Sequence, residues 1–108
     1  MTAGETNTLL VDTPLPRLAA LIAAREMSSR ELVVACLEKI AEANPVLNAV
    51  VQLRADAALA DADIADREVS RGELRGPLHG VPFTVKDWLD AVDLPCTGGA
   101  VESHGIGI

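Results

Sequence analysis

An α/β fold in the order helix, helix, strand, helix, strand is what this sequence predicts, and three observations predict it. Leucine and isoleucine recur at helical spacing in two stretches before Pro45. A short run, β-branched in its middle, then leads into an alanine-rich amphipathic stretch. A second short run, Val81 to Lys86, follows a loop rich in glycine and proline. Helical and strand periodicities differ (3.6 against 2), so these patterns separate the element types.

The first helix is expected from about Pro14 to Arg25. Asp12 and Thr13 precede Pro14, proline is tolerated in a first helical turn, and Leu15, Leu18, Leu21 and Ile22 share a face. The second opens on Ser28-Ser29-Arg30-Glu31, which has the form of a capping box, and carries Leu32, Val33, Cys36, Leu37 and Ile40 as one apolar stripe. It is expected to stop at Asn44-Pro45, and Cys36, on the stripe, reads as a small core residue. Leu47 to Leu53 suits a strand. The third helix is expected from about Ala55 to Arg71, with Leu59, Ala62, Ala65 and Val69 inward and glycine at positions 72 and 76 beyond its end, where a left-handed cap is common. Gly76 to Gly80 is loop chemistry, with His79 shaping the loop. Val81 to Lys86 then reads as a strand that puts Val81, Phe83 and Val85 on one face and Pro82, Thr84 and Lys86 on the other. Trp88 to Gly99 is expected to be irregular.

Composition narrows the function. The chain has 108 residues, 49% of them hydrophobic, which is ordinary for a folded protein. Nine Lys and Arg against 16 Asp and Glu give a net charge of −7, and Phe83 and Trp88 are the sole aromatics. Such a chain lacks the basic patch and stacking platforms that nucleic-acid binding needs. No apolar run is long enough to span a bilayer, and Met1 to Thr8 has no leader pattern, so no membrane association is expected. Two cysteines, Cys36 and Cys96, do not make a disulfide framework, and a cytoplasmic location is expected. His79, Cys96 and His104 lack the paired spacing of a metal site, and neither metal nor cofactor is expected. Ser103-His104 is read as accidental. Asp87, Asp90 and Asp93 lack the EF-hand pattern and read as a solvated face, with Asp87 orienting Lys86 or anchoring backbone.

Strand, helix, strand over 47–86 forms a βαβ unit, but two parallel strands belong in a wider sheet. The chain therefore reads as the opening of a larger α/β domain, with residues 1–11 flexible and 100–108 atypical. The unusual chemistry sits in Gly80-Val81-Pro82-Phe83-Thr84-Val85-Lys86-Asp87. A lysine at the carboxyl end of a strand lies where α/β sheets place ligands. Partial desolvation beside Phe83 and Val85 would make it a usable base; the alternative is a surface lysine paired with Asp87 or Asp90.

That segment resembles the G-[VI]-P-x-x-x-K-D motif of the amidase signature family. Gly76-Pro77-Leu78-His79, Leu47-Asn48-Ala49-Val50, Ser28-Ser29-Arg30-Glu31-Leu32 and Leu94-Pro95-Cys96-Thr97 agree with it in order and spacing. The resemblance implies a mixed-sheet α/β/α domain with a Ser, cis-Ser, Lys triad that hydrolyses carboxylic amides through an acyl-enzyme, with Lys86 as its base. It further implies a small-molecule amide as substrate; Asp87, Trp88, Thr97 and Gly98 are the candidate substrate-binding or supporting positions, with Trp88 reading first as a packing residue and pocket lining as its alternative. Ser28, Ser29, Ser70 and Ser103 match neither family serine, both of which belong to a downstream Gly/Ser-rich region. Asp93 replaces the usual glycine before Leu-Pro, and the residues after Gly99 leave the family pattern, which reads as a premature end. By itself the chain is expected to be inactive and to self-associate through exposed apolar faces. The alternatives are an inactive remnant or interaction module, whose helices from Pro14 to Asn44 offer an apolar surface to a partner, and, within the family, the glutaminase subunit of a tRNA amidotransferase.

Overall fold

The computed structural model describes residues 13–87 and residue 89. Three helices make up the regular structure of these residues: α1 (Leu15–Ala23), α2 (Ser29–Leu47) and α3 (Ala55–Ser70). Helix α1 starts differently from the sequence reading. Pro14 is itself the cap, its carbonyl accepting from Arg17 and Leu18 N–H (3.0 and 3.2 Å), and Pro16 takes the first-turn position where a missing donor costs nothing. The helix ends at Ala23 rather than Arg25 because Arg25 adopts a left-handed conformation (φ 61°). Arg25 N–H then bonds the Ile22 carbonyl at 3.0 Å and Glu26 N–H the Leu21 carbonyl at 2.9 Å, the paired closure that terminates a helix.

Ser28 caps α2 as its motif predicts, its side chain accepting from Glu31 N–H at 2.9 Å. A second cap comes from α3. The Asp66 carboxylate accepts from Ser29 N–H (2.6 Å) and Arg30 N–H (3.1 Å), placing an anion on the positive end of the α2 dipole. Arg30 also pairs with Asp63 at 2.8 Å. In return, the Arg25 guanidinium donates to the last carbonyls of α3, Val69 (3.1 Å) and Ser70 (2.9 Å). Gly72, at φ 72°, supplies the expected left-handed close of α3, with Glu73 N–H on the Glu68 carbonyl at 2.8 Å.

Between these helices lies one core of Leu18, Leu21, Ile22, Met27, Leu32 and Val69, with Cys36 and Val81 packed against it. Ala62 is buried and Leu59 and Ala65 are half-buried, so α3 approaches α2 through small side chains, as its composition predicts.

Two expectations are corrected. Helix α2 runs through Pro45 to Leu47, where it was expected to stop at Asn44-Pro45. Proline removes one helical donor, and the last turn closes regardless through Asn48 N–H on the Asn44 carbonyl at 2.7 Å. Neither expected strand, Leu47 to Leu53 or Val81 to Lys86, forms among the described residues, so the βαβ unit is not seen there. For the first there is a local cause. The Asn44 side chain donates to the Val50 carbonyl (2.7 Å) and accepts from Val50 N–H (2.8 Å), so both backbone groups that a neighbouring strand would take are engaged.

Candidate active site

The Lys86 segment is fixed to the helices at its near end and open at its far end. Two tight turns start it, His79 N–H on the Gly76 carbonyl (3.2 Å) and Val81 N–H on the Leu78 carbonyl (3.1 Å). Gly80 then passes close beneath α1 and α2. Its φ is 82°, and a Cβ there would lie 3.1 Å from Ile22 Cγ2 and 3.2 Å from Ser29 Cβ, so a side chain is refused on both conformational and steric grounds. Ser29, 2% exposed, donates through Oγ to the Gly80 carbonyl at 2.5 Å. His79 Nδ1 accepts from Arg75 N–H at 3.1 Å, and Nε2 lies 3.0 Å from the Ala65 carbonyl. Arg75 is held in turn by Glu68 at 2.6 Å, whose hydrogen bond and charge push the Arg75 guanidinium further above its ordinary range.

Beyond Val81 the protection ends. Pro82 is half-buried, and Phe83, Thr84, Val85 and Lys86 are exposed. Alternation therefore does not sort this segment into an inner and an outer face: Phe83 is 85% exposed although it was expected beside Val81. Asp87 is half-buried, and Leu89 N–H closes a turn onto the Lys86 carbonyl at 3.0 Å. Trp88, Thr97 and Gly98, the other expected site positions, lie outside the described residues, as do Cys96, Ser103 and His104.

The described serines are occupied structurally. Ser28 caps α2, Ser29 holds Gly80, and Ser70 donates to the Arg67 carbonyl at 2.7 Å. The thiol of Cys36 sits half-buried against the core, and burial pushes its pKa up, away from the thiolate that a nucleophile needs. A groove of about 510 Å³ lies between the second half of α2 and the following loop, lined by Leu37, Ile40, Asn44, Pro45 and Leu53 among others. Lys86 and Asp87 are not part of it. Among the described residues no helix is long and apolar enough to cross a membrane, and no group of three or more His, Cys, Asp and Glu is placed to hold a metal.

This chain belongs to the amidase family: the family model Amidase matches residues 31–104, which include the whole Gly80–Asp87 motif. It is similar to an acylamidase of Rhodococcus erythropolis, 43% identical over 83 residues, which are 76% of this chain and 17% of that protein. It is likewise similar to a subunit of the glutamyl-tRNA(Gln) amidotransferase of Mycolicibacterium paratuberculosis, 45% identical over 84 residues, 77% of this chain and 17% of that protein. A putative amidase AmiD of Mycobacterium bovis is 38% identical over 85 residues, 79% of this chain and 18% of that protein. The chain thus spans about a sixth of the length of the curated relatives it matches. No solved structure matches it.

Proposed function

We propose that this chain carries the lysine end of an amidase active site, acting on the C–N bond of a small carboxylic amide. The observation that supports this most is the Gly-Val-Pro-led Lys86-Asp87 pair, inside the family-matched region and presented on an open segment that leaves a rigid helical base. In this reading uncharged Lys86 Nζ takes a proton through a bridging serine from a nucleophilic serine. The freed serine oxygen attacks the amide carbonyl carbon, and backbone N–H groups hold the resulting oxyanion. Collapse breaks the C–N bond, the proton passes from the lysine to the departing nitrogen, and water then releases the acyl group by the same route in reverse. Both serines, and the walls that dry the cleft, come from the part of the relatives' length that this chain does not span. The structural tasks of Ser28, Ser29 and Ser70 support that division.

Asp87 is the proposed partner that orients Lys86, with Trp88, Thr97 and Gly98 as substrate-side positions. The near-equal similarity to an acylamidase and to an amidotransferase component keeps the substrate at the level of a carboxylic amide; an assembly partner follows only in the amidotransferase case. We place the protein in the cytoplasm on its cysteine usage.

A chimera tests this. The aligned segment of the Rhodococcus acylamidase is replaced by residues from this chain, and amide hydrolysis is followed by amine or ammonia release. The chimera should turn over, and Lys86→Ala should lower kcat by about 10²–10⁴-fold, the usual worth of a positioned acid or base. Turnover that survives Lys86→Ala unchanged would remove Lys86 from the chemistry. A chimera that folds without turning over would favour the remnant or interaction-module reading.

A further inference from the structure

We infer that His79 is a positioning residue, a two-sided clamp that sets the point at which the Lys86 segment leaves the helices. Its ring bridges two backbone groups that differ in kind. On one side is the Arg75 N–H, which can only donate, so Nδ1 presents its lone pair (3.1 Å). On the other is the Ala65 carbonyl, which can only accept, so Nε2 carries the hydrogen (3.0 Å). Both bonds are satisfied together by one form of the ring, neutral and protonated at Nε2.

The placement of those partners gives the bridge its use. Ala65 is next to Asp66 on α3, and Asp66 grips the first two N–H groups of α2. The following residue in the loop, Gly80, is held from α2 by Ser29 Oγ. Adjacent residues of α3 thus fix the helix and the loop, while adjacent residues of the loop are fixed by α3 and α2. Gly80 has no room for a side chain against Ile22 and Ser29, so the loop sits in contact with the core and cannot slide inward. From Phe83 to Lys86 the chain is exposed, and the position of Lys86, seven residues on, is inherited from this clamp. A displacement of about 1 Å at a reacting group is enough to cost about 10²-fold in rate. That the clamp serves a proton acceptor rests on the Lys86 reading proposed above; the clamp itself does not.

The test separates the two. On the isotope-labelled 108-residue chain, amide hydrogen exchange and nuclear Overhauser effects are compared for His79→Ala, His79→Asn and His79→Gln. Asparagine places an oxygen near the Nδ1 position, and glutamine an N–H₂ near Nε2. In His79→Ala the Arg75 amide should exchange at least about tenfold faster, a loss of roughly one hydrogen bond, and the Gly80–Ile22 Overhauser effect should weaken. Amides in the middle of α2 and α3 should keep their protection. His79→Asn should restore Arg75 protection, and His79→Gln should restore the Gly80–Ile22 contact without it. In the acylamidase chimera, His79→Ala should lower kcat far more than it changes KM. Unchanged Arg75 exchange and an intact Gly80–Ile22 contact in His79→Ala would overturn the clamp. Loss of both with kcat unaffected, in a chimera that Lys86→Ala abolishes, would overturn the positioning role. Indifference of the chimera to both residues, with the spectra changing as described, would leave the clamp standing and reject the Lys86 reading.

Discussion

Residues 18–36 and 62–82 differ sharply from residues 83–87, although the family-defining motif straddles the boundary between them. In the first region almost every turn or helix end is tied to a residue distant in sequence: Asp66 to the start of α2, Arg25 to the end of α3, Ser29 to Gly80, His79 to Ala65. In the second, Phe83 to Lys86 are exposed, Asp87 is half-buried, and the backbone lies in no sheet among the described residues. The lesson concerns the division of labour in the motif. Gly80-Val81-Pro82 belongs to the scaffold, with Val81 on the core, and Lys86-Asp87 belongs to the site proposed above. Glycine is required at position 80 for packing, and lysine at position 86 is what the proposed chemistry requires.

The largest effect that would test this contrast is loss of the core. Leu32 is 1% exposed and central to the helix cluster, so Leu32→Ala should cost about 2–5 kcal/mol by chemical denaturation. In a chain this small such a loss approaches the whole stability. A cost below about 1 kcal/mol would show that the helices do not share one core. Next is the helix-to-helix cap. Asp66→Ala removes the acceptor from two N–H groups and an anion from the α2 dipole, for an expected loss of about 1–2 kcal/mol. The variant should also expose the Ser29 and Arg30 amides to hydrogen exchange while the middle of α2 stays protected. A stability equal to that of the parent would mean that α2 is capped by Ser28 alone.

Much of the helical half was legible in the sequence, because its signals are local. The Ser28 cap of α2, the apolar stripe through Leu32 and Cys36, and the glycine after α3 each act within a turn or two, and each is found where expected. The long-range ties were not legible. Nothing near Asp66 in sequence marks it as a cap for a helix 37 positions away, and nothing near Ser29 marks its bond to the Gly80 carbonyl. Asn44 was read as a helix stop; its real task, holding both backbone groups of Val50, replaces the strand expected there. The motif around Lys86 was legible as a pattern, and the family match over residues 31–104 agrees with it. Its local conformation was not, since a strand is completed by neighbours and alternation alone does not supply them.

A smaller effect follows from Cys36. Burial raises its thiol pKa, so the folded chain holds that proton to higher pH than the unfolded chain does. The sign follows: this contribution to stability is complete below the unfolded thiol's pKa and is lost as pH rises through the folded value. Stability should therefore fall on the alkaline side, and Cys36 should be alkylated more slowly in the native chain than in urea at the same mildly alkaline pH, as measured by mass spectrometry of the Cys36 peptide. Equal rates would place the thiol in water and loosen the α2 side of the core.

The smallest expected change in stability is the most direct probe of the open region. Phe83 is 85% exposed, so its ring contributes almost nothing to folding by area, and Phe83→Ser should shift the denaturation midpoint by no more than about 0.5 kcal/mol. The same ring, with Leu78, Val46 and Leu47 also exposed, gives the isolated chain apolar surface that water disfavours. Sedimentation velocity should show concentration-dependent association of the parent and a larger monomer fraction for Phe83→Ser. A loss above about 1 kcal/mol would show instead that the ring is packed on the helices, and that the boundary drawn after Pro82 is in the wrong place. Unchanged association at unchanged stability would keep that boundary and move the sticky surface to the end of α2, where Val46 is 87% exposed.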